Sequence, residues 1–144
     1  MKKPESIDII IPIYNAYEDL QTCIASIFSC TDLSRHRLLL VNDASPDKRI
    51  LPYIRSLESS NIIVIENENN LGFSGSINHG ICVSKDRDVI LLNSDTIVTN
   101  GWAEKIINCA YSAAEIATVT PLSNNATLCS VPEFLKENQL PPGF

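Results

Sequence analysis

Four short aliphatic runs, at residues 7–13, 37–41, 62–65 and 89–92, each stop abruptly at polar residues: Tyr14-Asn15, Asn42-Asp43, Asn67 to Asn70, and Asn93-Ser94-Asp95. Consecutive aliphatics with β-branched members and no helical spacing suit strands of a parallel sheet, and Val89 to Leu92 read as a strand buried on both faces. Between the runs, apolar residues return at helical spacing, most clearly Leu20, Cys23, Ile24, Ile27 and Phe28 within 16–30, where Glu18 and Asp19 suit the positive end of the helix dipole. Further helices are expected at 46–57, opened by Ser45-Pro46-Asp47, at 72–84 after Gly72 and Gly75, and at 101–113, with Trp102, Ile106, Cys109 and Ala110 on one face. A fifth strand is expected at 116–120. This alternation demands a mainly parallel sheet with right-handed crossovers and helices on both faces, with the first strand interior. All four polar tips then share the carboxyl edge, where open α/β sheets bind ligands.

Composition narrows the ligand. With 44% apolar residues in 144 the chain can build one core, and no window approaches a membrane span. A net charge of −6 leaves no basic surface for nucleic acid or an anionic membrane. The five cysteines are odd in number, scattered and never Cys-x-x-Cys, which fits reduced, mostly buried thiols in a cytoplasmic protein rather than a disulfide framework or zinc site. Asn125-Ala126-Thr127 matches a glycosylation acceptor, but no secretory signal accompanies it. After Thr120 the pattern gives way to breakers (Pro121, Pro132, Pro141, Pro142, Gly143), so residues 1–120 are expected to form the ligand-binding domain and 121–144 the lead-in to a further part.

No Gly-x-Gly-x-x-Gly follows the first strand, where Pro12 has no N–H to offer a pyrophosphate, and no Gly-Lys-Ser/Thr loop occurs anywhere. Dinucleotide and P-loop chemistry are thereby excluded. Asp43 and Asp95, on neighbouring loops, would repel each other and any diphosphate unless a divalent cation lay between them. Oxygen ligands without His or Cys select Mg²⁺ or Mn²⁺. No Lys or Arg is expected in the four strand-end loops, which leaves the cation as the chief neutraliser. A plainer alternative stays open at this point: Asp43 as an Asx-turn residue, Asn93 to Asp95 as turn formers. His79 reads as a structural or rim residue and His36 as a solvated loop residue.

Taken together, Ile9-Ile10-Ile11-Pro12-Ile13-Tyr14-Asn15, Val41-Asn42-Asp43-Ala44-Ser45-Pro46-Asp47, Asn69-Asn70-Leu71-Gly72-Phe73-Ser74 and Leu91-Leu92-Asn93-Ser94-Asp95-Thr96 resemble, in order and spacing, the family 2 glycosyltransferases of Rossmann-like GT-A fold. The resemblance implies a truncated α/β domain that binds a nucleoside-diphosphate sugar. Pro12, Tyr14, Asn15 and Asp43 would hold the nucleoside, Asn70 and Gly72 would line its pocket, and Asn93-Ser94-Asp95 would stand as the Asp-x-Asp motif, with Asp95 coordinating Mg²⁺ or Mn²⁺ on the diphosphate. It further implies inverting transfer to an acceptor hydroxyl, on a glycan or lipid-linked sugar, in polysaccharide biosynthesis. Asn93 replaces the motif's first acid, leaving one fewer carboxylate for the metal. The acceptor half and its general base are expected beyond Phe144. The rival readings are a non-catalytic nucleotide-binding module and a flavodoxin-like regulatory domain.

Overall fold

The computed structural model describes residues 3–124, 129–131, 133 and 137–138. Its elements follow the order β1 (Asp8–Ile13), α1 (Tyr17–Cys30), β2 (Arg37–Asn42), α2 (Ile50–Ser56), β3 (Ile62–Glu66), α3 (Gly72–Ser84), β4 (Val89–Leu91) and α4 (Trp102–Ala110). The chain forms two compact units, Pro4–Ala103 and Met1–Lys3 with Glu104–Phe144.

In the first unit the sheet runs β3-β2-β1-β4 with every pairing parallel. Register sets Ile10 opposite both Leu39 and Leu91, and Leu39 opposite Ile63. Right-handed crossovers from β1 to β2 to β3 put α1 and α2 on one face, and the return from β3 to β4 puts α3 on the other. Ile77 of α3 joins Ile10, Leu39, Val41 and Ile65 of the sheet in one buried cluster. Gly80 brings α3 so close to β1 that a Cβ there would stand 2.6 Å from Ile10 Cγ2. On the opposite face Ile9, Ile11, Leu38 and Leu40 are fully buried, as are Leu20, Ile24 and Ile27 of α1 and Ile50 and Ile54 of α2.

Several expectations are corrected. The stretch at 89–92 is not buried on both faces: strand order makes β4 an edge, it is only three residues long, and Leu91 is 47% exposed. The second helix starts at Ile50 rather than Pro46. Pro52 explains the delay: in a helix from 46 its missing N–H and its ring would fall mid-helix, whereas from Ile50 it occupies the first turn. Lys48 and Arg49 therefore lie in the β2–α2 loop, which is not free of basic residues, although Arg49 is bound to Asp47 and Glu18 at 2.7 Å each. Residues 116–120 form no strand, and Ala117, Thr118 and Thr120 are exposed, so the run lacks the burial and the partner that a strand requires. Along α4 the buried residues are Ala103 and Ile107 instead of the expected row, with Cys109 exposed. Only Cys23 of the five cysteines is buried. His36 is buried, not solvated, and its Nδ1 accepts the Ile7 N–H at 3.4 Å. Asn125 to Thr127 lie outside the described residues.

In the second unit Lys3 Nζ donates to Asn108 Oδ1, Ser123 bridges Ser130, and Asn138 joins Ser130 Oγ at 2.8 Å and the Asn124 carbonyl at 2.7 Å.

At the amino end of the sheet Asp8 is wholly buried. Arg37, its register partner, donates through Nε to Oδ1 at 2.8 Å, Ser84 Oγ donates to Oδ2 at 2.6 Å, and Arg87 Nε stands 2.8 Å from Oδ1 as a charge contact. Burial works to raise the Asp8 pKa, but the Arg37 and Ser84 hydrogen bonds and the two guanidinium charges prevail and hold it below the ordinary 3.8. Asp8→Ala should cost about 3 kcal/mol in chemical denaturation, since it strands two arginines beside a buried site. In the unsubstituted chain this contribution should be complete above the unfolded value of 3.8 and vanish as pH falls through the lower folded value.

Candidate functional site

The strand order reverses between β1 and β4, and the crevice opens at their carboxyl ends. Pairing between them stops at Ile10 opposite Leu91, with Leu92 N–H donating to the Ile10 carbonyl at 3.0 Å. Pro12, without an N–H, cannot extend it. A cavity of about 400 Å³ fills the gap, lined by Pro12, Ile13, Tyr14, Ala16 and Asp19 on one side, Asp43, Asn70, Gly72 and Phe73 on another, and Asn93, Ser94 and Asp95 on the third.

Tyr14, at the tip of β1, is 50% exposed to this space. After it the backbone passes through two left-handed residues, Asn15 at φ 60° and Ala16 at φ 53°, before α1 begins. For a residue with a Cβ this costs about 1–2 kcal/mol each. The bend is braced by Ser45 Oγ, which accepts the Asn15 N–H at 3.2 Å, and by Asn15 Oδ1, which accepts the Asp47 N–H at 3.2 Å. Asn15 thus joins the β1 and β2 loops and, alone among the expected site residues, does not line the cavity.

Asp43 lies just past β2 and is only 3% exposed. Its Oδ1 accepts the Leu71 N–H and the Asn67 amide, both at 2.8 Å, and its Oδ2 accepts the Gly72 N–H at 2.9 Å. Burial alone would raise its pKa, but these donors, with the Ser76 hydroxyl, hold it below the usual 3.8, so it is a carboxylate at neutral pH. One buried anion therefore shapes the β3–α3 loop from 67 to 72, which delivers Asn70, Gly72 and Phe73 to the cavity. The Asx-turn alternative for Asp43 is replaced by this longer-range clamp.

Asn93 to Thr96 form a turn, closed by the Thr96 N–H on the Asn93 carbonyl at 3.2 Å. The buried Cys23 thiol of α1 approaches that same carbonyl at 3.6 Å, and burial, with a lesser push from the Asp95 charge, raises its pKa to about 11. Asp95 itself is exposed and has no hydrogen bond or ion pair among the described residues. Asn93 to Asp95 are thus both a turn and a cavity wall.

Among the described residues no three His, Cys, Asp or Glu side chains cluster as a ready metal cage. A lone exposed carboxylate nevertheless fits Mg²⁺ or Mn²⁺, which are commonly held by one or two carboxylates with water and substrate phosphates completing the shell. Asp95 meets that description, whereas the oxygens of Asp43 are already committed to the chain's own donors.

Against known proteins, the family model described as glycosyl transferase family 2 matches residues 8–127. The chain belongs to that family. It is 34% identical over 102 residues to the minor teichoic acid biosynthesis protein GgaB of Bacillus subtilis (strain 168), covering 69% of this chain and 11% of GgaB. GalNAc-T7, solved with UDP, GalNAc and Mn²⁺, superposes at TM-score 0.61 with 17% identity, over 71% of this chain and 20% of that one. The mannosyltransferase PcManGT of Pyrobaculum calidifontis, solved with GDP-Man and Mn²⁺, superposes at 0.56 with 17% identity, over 65% and 28%. The fold is that of the GT-A glycosyltransferases, and the chain spans about a tenth to just over a quarter of the length of these relatives.

Four cavity-lining residues, Ile13, Ala16, Asp19 and Phe73, are not among the site residues expected from the sequence. Asp19 reads as a helix-dipole acid, yet it lines the cavity; Ile13 and Ala16 carry no chemical signal; Phe73, 57% exposed and on the cavity wall, reads as the start of a helix. An aromatic directly after the Asn-Leu-Gly segment was the available clue to the last. Gly72 sits at φ 71° with open space where a Cβ would project, so Gly72→Ala should cost about 1–2 kcal/mol purely through its backbone, read as a lowered Tm with native circular dichroism. A variant as stable as the parent would show that the loop can adopt an ordinary turn.

Proposed function

We propose that this chain is the nucleotide-sugar-binding part of an inverting glycosyltransferase, residues 1–120 binding a nucleoside-diphosphate sugar with Mg²⁺ or Mn²⁺ and 121–144 leading into the acceptor half. The observation that carries this reading is the meeting of three strand ends at one cavity, with Tyr14, Asp43 and Asp95 on its wall. Family membership supports glycosyl transfer, and the UDP, GDP-Man and Mn²⁺ in the two solved relatives support a nucleotide donor and a divalent ion.

In this reading Tyr14 supplies a flat apolar face for the nucleobase, and Asp43 holds the nucleoside side of the pocket, with Pro12 and Asn15 shaping the turn beside it. Asn70 and Gly72 close over the nucleotide. Asn93 and Ser94 present Asp95 to the cation. When bound, that cation neutralises charge developing on the departing diphosphate. The acceptor hydroxyl, on a glycan or lipid-linked sugar of polysaccharide biosynthesis, loses its proton to a base outside these residues as its oxygen attacks the anomeric carbon. No helix among the described residues is long and apolar enough to cross a membrane, and the scattered cysteines favour the cytoplasm as its compartment.

Calorimetry with UDP and GDP, with and without Mn²⁺, tests this. Asp95→Asn should fold normally and lose about ten- to hundredfold in Mn²⁺-dependent affinity, the value of a charge-assisted contact, while uridine binding stays unchanged. Early melting with intact affinity would reduce Asp95 to a turn former. The isolated chain should bind without transferring sugar, and robust transfer would place the base within residues 1–144.

A further inference from the structure

Behind the cavity wall Asp43 is held by a second group of side chains that the family motifs do not include. Asn67 is 8% exposed and Ser76 wholly buried. Asn67 Nδ2 donates to Asp43 Oδ1 and to Ser76 Oγ, each at 2.8 Å, and Asn67 Oδ1 lies 2.6 Å from His79 Nδ1. Charge dictates the polarity of the chain. An ionised carboxylate only accepts, so the Asn67 amide must turn its NH₂ toward Asp43 and its carbonyl toward His79. A carbonyl also only accepts, so His79 must carry its proton on Nδ1 and donate it.

We infer that Asn67 and His79 are positioning residues for the nucleoside side of the cavity. His79 fixes the orientation of Asn67, Asn67 fixes the Asp43 carboxylate, and Asp43 draws the Leu71 and Gly72 N–H groups into place, which sets Asn70, Gly72 and Phe73 on the cavity wall. None of Asn67, Ser76 and His79 lines the cavity, so they act on a ligand only through Asp43 and the loop. The spacing suits this: Ser76 and His79, three residues apart, share one face of α3, and that face meets Asn67 at the end of β3. Without His79 the Asn67 carbonyl loses this donor, so the amide is anchored at its NH₂ end alone and its hold on Asp43 slackens. This inference rests on the reading of the cavity as a nucleotide site, but its structural half can be read without any ligand.

The test compares His79→Leu, which removes the donor, with His79→Gln, whose amide NH₂ can replace it, and with Asn67→Leu. Two measurements are made on the 144-residue chain: hydrogen exchange at the Leu71 and Gly72 amides, and UDP affinity by calorimetry with Mn²⁺. In His79→Leu and Asn67→Leu those two amides should exchange about five- to tenfold faster while the amides of β1 and β2 keep their protection, and UDP affinity should fall by a similar factor, the worth of one hydrogen bond. His79→Gln should restore most of both. Unchanged exchange at Leu71 and Gly72 in the leucine variants would overturn the inference. So would general loss of protection in His79→Leu, since the histidine would then support the whole fold and not the loop. Failure of the unsubstituted chain to bind UDP or GDP would strike the nucleotide reading instead, leaving the exchange result to decide the role of His79 in the loop.

Discussion

β1 is hydrogen-bonded along both edges, and the site depends on where each of those ladders ends. Toward β2 the pairing continues to Ile13 and Asn42, while toward β4 it stops at Ile10 and Leu91. The difference of three residues is the crevice. Pro12 enforces it, because it can neither donate to β4 nor be tolerated where a ladder must run on both sides. Reversal of the strand order at the same place opens the crevice between the carboxyl ends of β1 and β4.

Two buried carboxylates mark the opposite ends of the sheet, and their environments differ. Asp8, at the amino end, is met by Arg37 and Arg87, so its charge is cancelled locally and its role is cohesion. Asp43, at the carboxyl end, is met only by neutral donors: two backbone N–H groups, an amide and a hydroxyl. Dipoles stabilise an anion without neutralising it. Its negative charge therefore persists at the cavity, beside Asp19 and Asp95, in a chain whose nearby Arg49 is already engaged by Asp47 and Glu18. Such a cavity favours a cation, alone or accompanying an anion, over an anionic ligand by itself.

Rigidity around the cavity comes from cross-loop bonds more than from the helices. Asn15 to Ser45 and Asp47, Asp43 to Leu71 and Gly72, and Cys23 to Asn93 each link segments far apart in sequence. The left-handed residues Asn15, Ala16, Ala44 and Gly72 lie on these same loops. Conformations of this cost persist only where surrounding bonds over-determine them, and here those bonds are the ones that shape the site.

Much of this was legible in the residues themselves. Apolar runs marked β1 to β4 and helical spacing marked α1, while the Ser45-Pro46-Asp47 opening pointed to α2, four residues early, and Gly72 and Gly75 pointed to α3. With crossover handedness these determined a parallel sheet with its polar tips on one edge, and all of these signals act locally along the chain. Tyr14, Asp43, Asn70, Asn93, Ser94 and Asp95 stand out in the sequence because each lies in a polar tip after a strand, whereas Gly72 is marked as a site residue only by the resemblance to the family. Tertiary structure alone decided the exposure of Leu91, since an edge strand and a central one have the same composition. It alone decided that Asn15 braces a bend rather than faces the cavity, that Asp19 faces it, and that His36 is buried. Above all, the hydrogen bonds of Asp43 run to residues 24 to 29 positions away. Sequence spacing carries periodicity, which repeats within one element, but a buried carboxylate selects its donors by proximity in the folded chain.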